Sequence, residues 1–323
     1  MSKIDHTFQA LCREILQDGR EYENKNRGVK RLQIPSVHFR HSFEDGFPAL
    51  SLKKLYFKSV VAELLFFMKG SDNAFELTES NVHIWDKDSY QYVKSIAVPG
   101  HVYEYLFEAG TFVTFERYLE IVKDRKILPV GRTYGVQYRR FNDDVDQIRM
   151  LIEGIGKDIF SSRLVVTAWN PSDLWSTALP ACHNMFQVIG DYDSKGNEGF
   201  WVSFNMRSWD VFLGASFNIA SYALLGKVLE KVTGKRCLGI ICHGNCVHFY
   251  GNQYSGAEEI LTRDADAHPS CDVSIPHVNR IEGMTDFEYF EHYLSSVVPN
   301  DFKLVGYTSD EAIKVDMLAP TKI

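Results

Sequence analysis

The sequence lacks the features that mark several large classes of protein. Its 323 residues contain no uninterrupted run of about 18 apolar residues, and the charged start MSKIDHTFQALCREI has no apolar core like that of a signal peptide. Its six cysteines are unevenly spaced, unlike those of a disulfide-stabilised secreted domain. We therefore expect no membrane span, and we predict a cytoplasmic protein.

An excess of positive charge is also missing. Lysine and arginine number 35 against 42 aspartates and glutamates, which gives a net charge of −7. Non-specific nucleic-acid binding depends on neutralising phosphates, so we expect no obligatory nucleic-acid partner. A local basic pocket for one small anion is still compatible with this charge.

The sequence does contain the apolar material for a large core. Hydrophobic residues make up 45% of the chain and aromatic residues 13%. No internal repeat, low-complexity stretch or flexible linker interrupts it. We therefore predict a single domain over residues 1–323.

Hydrophobic periodicity predicts a mixture of helices and strands. Helices are predicted over 4–17, 59–69, 143–156 and 216–232. Strands are predicted over 163–169, 184–190, 200–206 and 237–250, with the middle two forming a hairpin. No helix or strand is predicted for residues 24–46, and residues 91–128 are expected to be partly helical. Because strict β-α-β alternation is absent, the predicted fold class is α+β with a largely antiparallel or mixed sheet.

Two residues stand out as candidates for chemistry. Glu63 interrupts the apolar segment 59–69, and a buried carboxylate is costly unless it is paired or used. It could equally lie at the edge of an amphipathic helix. Cys182 lies at the start of a predicted strand, and the hairpin could bring Arg207 and Ser208 beside it. A neighbouring arginine would stabilise a thiolate, although most cysteines simply fill a core.

Basic side chains and potential metal ligands form two further groups of candidates. The basic residues at 27, 30, 31, 163 and 207 could form a phosphate pocket or lie on a solvated surface. Cys242, His243, Cys246 and His248 lack the second ligand pair that a structural zinc site normally has. We therefore predict no metal site.

Eight sequence blocks, in order, resemble thymidylate synthases and the related pyrimidine-nucleotide hydroxymethylases. The blocks are DGFPALSLKK (45–54), AELLFFMKGSDNAFEL (62–77), NVHIWD (81–86), YGVQYR (134–139), AWNPSDL (168–174), ALPACH (178–183), MRSWDVFLGASFNIASYALL (206–225) and VHFYGN (247–252). The resemblance runs from about residue 26 to the C-terminus. It implies a thymidylate-synthase-like fold, with a mixed, mostly antiparallel sheet packed with helices. It also implies a homodimer in which the sheets form the interface.

The resemblance assigns catalytic roles. Cys182 matches the nucleophile that adds to C6 of the pyrimidine, which is covalent catalysis. Glu63 matches the glutamate that organises water and moves protons, and burial would raise its pKa towards neutrality. Tyr134 and His183 match the polar network around the proton that leaves C5. Arg207 matches a residue beside the thiolate.

The resemblance also implies how a pyrimidine nucleoside monophosphate and the cofactor 5,10-methylenetetrahydrofolate are bound. The residues matched to the phosphate are Arg27, Arg163 from the partner subunit, Arg207 and Ser208. Asn218 matches the residue that binds N3 and O4 of uracil, which favours dUMP because relatives acting on cytosine tend to carry aspartate there. His248 and Tyr250 match the pair on the sugar 3′-hydroxyl. The residues matched to folate binding are Trp85, Leu179, Asp210 and Lys53. Asp210 is also matched to a catalytic role.

The chain departs from the family pattern in several places. Ser162 stands where the family usually has the first of two arginines, before the strand that begins at Arg163, and Arg132 or Lys30 could compensate. An insertion lies around 91–128, and TSDEA (308–312) replaces the usual stretch after the terminal Gly-Tyr.

The C-terminal tail LAPTKI carries polar Thr321-Lys322 where the family is usually apolar. A polar lid admits water, and water added at C5 would give a hydroxymethyl product. We therefore expect a dUMP hydroxymethylase. The first alternative is a thymidylate synthase that makes dTMP and dihydrofolate. The second is a silent homologue that binds nucleotide or RNA.

Overall fold

A computed structural model describes residues 2–24 and 29–316. Its α-helices are α1 (Lys3–Asp18), α2 (Phe57–Lys69), α3 (Phe75–Glu79), α4 (Asp86–Ile96), α5 (Phe115–Arg125), α6 (Tyr134–Arg139), α7 (Gln147–Lys157), α8 (Ser216–Thr233), α9 (Tyr254–Thr262) and α10 (Asp286–Ser296). Its strands are β1 (Arg20–Asn24), β2 (Val29–Ser42), β3 (Phe107–Glu108), β4 (Thr111–Phe112), β5 (Val165–Thr167), β6 (His183–Tyr192), β7 (Glu198–Met206), β8 (Trp209–Asp210), β9 (Arg236–Tyr250), β10 (Asp272–Ser274) and β11 (Lys303–Val305). A π-helical turn, Val211–Ala215, leads into α8.

One seven-stranded sheet organises the described residues. Its strand order is β1-β2-β9-β7-β6-β5, and β8 also pairs with β9. The pairs of β9 with β7 and with β8 are parallel, and the other pairs in this sheet are antiparallel. The predicted α+β class with a mixed, mostly antiparallel sheet is therefore confirmed.

The turn of the β6–β7 hairpin is stabilised by a side chain of the turn that accepts hydrogen bonds from the turn's own backbone N–H groups. Asp193 Oδ1 accepts hydrogen bonds from the backbone N–H groups of Lys195 and Asn197, at 2.9 and 2.8 Å. Gly196 has φ +82°, a conformation that glycine adopts without steric cost. This turn fixes the register in which His183 lies opposite Met206. The ends of the two strands next to Cys182 and Arg207 therefore lie side by side.

Strand β2 is the largest element that the sequence prediction missed. It pairs with β9 from Arg31 to Ser42, interrupted only at Pro35. One of its faces carries polar residues such as His38 and Arg40, so its apolar alternation is weak. Long-range pairing, and not local pattern, makes this segment a strand.

Helix α8 lies in the core. The segment Val211–Thr233 is long and apolar enough to span a membrane by length and composition alone, although it holds no uninterrupted apolar run. In the structure 67% of its most apolar window is buried inside the protein, as in a core helix. The helix ends at Gly234, whose φ of +69° provides the left-handed cap.

The region 91–128 contains the end of α4, the short hairpin β3–β4 and helix α5. Tyr90 anchors it, because its ring contacts Phe112, Phe115 and Tyr118 at centroid distances of 5.3–5.7 Å. The Tyr90 hydroxyl also donates to the carbonyl of Val113 at 2.9 Å. The region therefore packs onto the rest of the chain through an aromatic cluster.

Candidate active site

Cys182 occupies the last position before strand β6, and its backbone is held on both sides. The Cys182 N–H donates to the hydroxyl of Tyr134 at 2.7 Å, and the Cys182 carbonyl accepts from the N–H of Arg207 at 2.8 Å. The side chain is half-buried. This residue is therefore held in place and still accessible from one side.

The side chain of Arg207 is attached to the turn that carries Cys182. Its Nε donates to the carbonyl of Ala181 at 2.7 Å, and its Nη2 donates to that of Pro180 at 2.8 Å. The guanidinium also lies 5.0 Å from the ring centre of Trp169, a cation–π distance. A fixed positive charge next to a thiol favours the thiolate. The hairpin thus brings Arg207 to Cys182 in the way that the sequence predicts.

His183 and Tyr134 form a stacked pair behind the cysteine. Their ring centres are 4.0 Å apart with an interplanar angle of 14°, and His183 Nδ1 is hydrogen-bonded to the Tyr222 hydroxyl at 2.8 Å. Burial lowers the pKa of His183 to about 3 and raises the pKa of Tyr134 well above its usual value. Both groups are therefore neutral at physiological pH and can orient water or pass a proton without carrying charge.

Glu63 lies on α2 and is half-buried, with its carboxyl group against the indole of Trp85. The indole Nε1 of Trp85 donates to Glu63 Oε1 at 2.9 Å. Desolvation raises the pKa of Glu63 to about 7, and the Trp85 hydrogen bond opposes this shift only in part. A carboxyl group with this pKa exists in both protonation states near pH 7, as a general acid–base group requires.

Asn218 lies in the first turn of α8, directly after the π-helical turn. Its Oδ1 accepts a hydrogen bond from Trp209 Nε1 at 3.1 Å. Tyr222, the partner of His183, is four residues further along and so lies on the same face of the helix. The two side chains therefore belong to one wall of the site.

Asp210, a candidate folate-binding residue, lies next to the candidate sugar-binding residue His248 in the sheet. Its Oδ1 accepts from the N–H of Leu213 at 3.0 Å and its Oδ2 from Gln253 Nε2 at 2.9 Å. Asp210 lies opposite His248 across the β8–β9 pair. His248 Nδ1 is 2.6 Å from the carbonyl oxygen of Cys246, and the ring contacts that of Tyr250 at 4.9 Å. When Nδ1 carries the proton, Nε2 of the neutral ring is an acceptor.

Lys53 is buried near Asp210. Its ammonium group donates to the carbonyl of Phe212 and lies 4.4 Å from the centre of the Phe212 ring. Desolvation lowers the pKa of Lys53 to about 8, although the charge of Asp210 opposes this shift. In this conformation Lys53 faces the protein interior, so a contact with a folate carboxylate requires release of the Phe212 carbonyl.

Several predicted residues lie apart from this cluster. Arg163 is exposed before β5, and the described part of the chain offers its guanidinium no hydrogen bond or ion pair. Arg132 pairs with Asp143 and Asp173 at 2.6 and 2.7 Å, so both carboxylates compete with any phosphate for it.

Three further predicted residues, Lys30, Leu179 and Ser208, lie within the described part of the chain. Lys30 pairs with Glu21 at 2.8 Å. Leu179 is half-buried at the edge of the core, and its carbonyl accepts from the Thr177 hydroxyl at 3.2 Å. Ser208 is half-buried beside Arg207. Arg27 and the tail LAPTKI lie outside the described residues. Among the described residues, no group of three or more His, Cys, Asp or Glu side chains is placed to hold a metal ion.

Sequence reasoning gave no role to four residues that the structure places in the site. These residues are Trp169, Trp209, Tyr222 and Gln253. Each contacts a candidate residue through a ring or one polar atom. The position of Tyr222 could have been predicted, because its i, i+4 spacing from Asn218 places both residues on one face of a helix. The other three contacts depend on how distant segments meet.

Comparison with known proteins gives one consistent result. A family model described as thymidylate synthase matches residues 6–319. The thymidylate synthase of Aster yellows witches'-broom phytoplasma is 33% identical over 321 residues, covering 97% of this chain and 99% of that protein. That of Malacoplasma penetrans is 32% identical over 309 residues, covering 95% and 97%. That of Mesoplasma florum is 34% identical over 276 residues, covering 83% and 88%.

Proposed function

Because the chain belongs to the thymidylate synthase family, whose members depend on 5,10-methylenetetrahydrofolate, we propose that it converts dUMP to thymidylate. The observation that carries the proposal is Cys182 in a turn held by the guanidinium of Arg207. Our expectation of a hydroxymethylase, based on the polar tail, is not confirmed. The alternative, thymidylate synthesis, fits better because the relatives reported above are named thymidylate synthase.

In the proposed reaction, the Cys182 thiolate forms a bond to C6 of the pyrimidine. The electrons of the C5–C6 double bond move to C5, which becomes an enolate-like nucleophile. The bound folate supplies the one-carbon unit and, in a synthase, the hydride. Loss of the C5 proton would break the bond between the transferred carbon and the folate nitrogen. Hydride added to that carbon would then re-form the C5–C6 double bond and expel the sulfur from C6 as thiolate. Neutral Tyr134 and His183 orient the water that receives this proton, and Glu63 exchanges protons near the base.

The residues present fit a folate. Asp210 is half-buried, and its carboxylate oxygens, each holding one hydrogen bond, can each accept another from a pterin N–H. Trp85 and Leu179 contribute apolar surface, and Lys53 joins them only after release from Phe212.

The nucleotide is held by groups that complement each of its parts. His248 Nε2 accepts from the sugar 3′-hydroxyl with Tyr250 beside it, and Arg207 and Ser208 bind the phosphate. Arg27 and the partner's Arg163 complete the phosphate site in a homodimer. The exposed position of Arg163 at the edge of the sheet supports a role across the interface.

Asn218 recognises the base in this proposal. Its amide can accept from uracil N3–H and donate to O4, whereas aspartate only accepts when ionised. We therefore expect Asn218→Asp to shift the ratio of kcat/KM for dUMP over dCMP towards dCMP by about 10-fold or more. Steady-state kinetics with both nucleotides measure this ratio, and an unchanged base preference would remove Asn218 from this role.

The product identifies the reaction. The enzyme is incubated with dUMP and 5,10-methylenetetrahydrofolate while dihydrofolate absorbance and product mass are followed. We expect dihydrofolate and a methylated nucleotide in equal amounts. Tetrahydrofolate with a hydroxymethyl product would identify a hydroxymethylase, and tight binding of dUMP without turnover would identify a silent homologue.

We further propose that the chain is one catalytic domain over 1–323 that works in the cytoplasm. The match of the family model over residues 6–319 supports a single unit. We propose that 91–128 is an insertion within it.

A further inference from the structure

We propose that Trp209 is a positioning residue that sets base selectivity by fixing the orientation of the Asn218 amide. The inference rests on the proposed function, because it takes Asn218 as the residue that meets the pyrimidine edge. It concerns Trp209, a residue to which neither the sequence nor the family comparison assigned a role.

The hydrogen bond between the two residues has a defined direction. Trp209 Nε1 lies 3.1 Å from Asn218 Oδ1, and an indole N–H can only donate. The asparagine must therefore present its oxygen to the tryptophan. A flipped amide would place its own N–H groups against the indole N–H, and the buried donor would be left without an acceptor.

Trp209 can hold the amide because its own ring is fixed. It is 0% exposed and stacks on Phe39, with ring centres 6.4 Å apart at 16°. Gly244 on β9 leaves room for the ring, since a Cβ at that position would lie 2.7 Å from Trp209 Cε3. The backbone is also paired, with Trp209 opposite Val247 in the β8–β9 register. The indole N–H is thus a rigid donor.

A fixed amide distinguishes the two bases. Uracil presents an N3–H donor and an O4 acceptor, whereas cytosine presents an N3 acceptor and an N4 donor. Asn218 matches uracil in one orientation of its amide and cytosine in the other, with the same side-chain atoms. Its Oδ1 keeps a second lone pair, and in the described residues its Nδ2 donates to no other group. With dUMP as the substrate, the uracil-matching orientation is the one that Trp209 holds.

The test is Trp209→Phe, which keeps an aromatic ring but removes the N–H. We expect the ratio of kcat/KM for dUMP over dCMP to fall by about 10-fold, as for the loss of one buried hydrogen bond. The change should lie mainly in the KM for dUMP, with kcat less affected. In an Asn218→Asp background, whose carboxylate oxygens are equivalent, the same substitution should no longer change the ratio.

Trp201→Phe is the matched control. Trp201 Nε1 donates to Asp191 Oδ2 at 3.0 Å on the opposite end of the hairpin, so this variant should keep the wild-type ratio. If Trp209→Phe does not fold, Trp209→Tyr replaces it, because a hydroxyl accepts as well as donates and tolerates either amide orientation.

An unchanged ratio in a folded Trp209 variant would overturn the inference and leave the proposed function intact. Absence of dUMP turnover in the wild-type enzyme would instead overturn the proposed function.

Discussion

Replacement of Cys182 by alanine is expected to lower turnover of dUMP by more than about 10³-fold, because a methyl group cannot form the bond to C6. The side chain is half-buried in the turn to which the guanidinium of Arg207 is hydrogen-bonded, and its removal leaves the bonds of the Cys182 backbone in place. Binding of dUMP should therefore persist. Release of tritium from C5-labelled dUMP measures the loss, and calorimetry measures the remaining nucleotide affinity.

Cys271→Ser provides the matched control. Cys271 is buried away from the cluster, and its thiol points at the carbonyl of Phe47, which a serine hydroxyl can also reach. This variant should retain wild-type tritium release. Full tritium release in a folded Cys182→Ala variant would exclude covalent catalysis by this residue.

Replacement of Glu63 by glutamine is expected to slow the reaction and stabilise the fold at the same pH. Loss of a general acid–base group typically costs about 10²–10⁴-fold in rate. The stability effect follows from the pKa of Glu63, which is about 7 in the folded protein against 4.5 for the ordinary side chain. Between these pH values the unfolded chain has lost its proton and the folded chain keeps it, so wild-type stability falls as pH rises from about 4.5 to 7.

Glutamine is neutral throughout, and its amide oxygen still accepts from Trp85. The Tm of Glu63→Gln should therefore equal that of the wild type near pH 4.5 and exceed it at pH 8. Thermal unfolding at pH 5 and pH 8, with kcat measured across the same range, tests both effects. Glu79→Gln, an exposed change on α3, serves as the control and should alter neither. A Tm difference that is the same at both pH values would show that the carboxyl of Glu63 is not desolvated as described.

Elements that carry their own pattern were predictable from the sequence. Helix α2 and helix α8 are marked by apolar runs that end in glycine, and the β6–β7 hairpin is marked by its turn. Strand β2 was not predictable, because its pairing with β9 joins residues about 200 positions apart and its polar face hides the alternation. Such pairing depends on the whole sheet.

The candidate site likewise contains some residues that the sequence could identify and others that it could not. The resemblance named Asn218, Asp210 and His183, but not the residues that hold them. Trp209, Gln253 and Tyr222 reach their partners through single polar atoms at 2.8–3.1 Å, and such distances follow from register and rotamer. The expectation of a hydroxymethylase rested on the polar residues of the C-terminal tail. The relatives are named thymidylate synthase, which fits the alternative better than the hydroxymethylase expected from the tail.

The attachment of Arg207 to the turn before β6 has a thermodynamic consequence. Three hydrogen bonds join Arg207 to Pro180, Ala181 and Cys182, and they form when the protein folds. The conformational entropy of this turn is therefore lost during folding and not when a nucleotide arrives. A ligand that binds here meets a preorganised surface, so more of its interaction energy is retained as affinity.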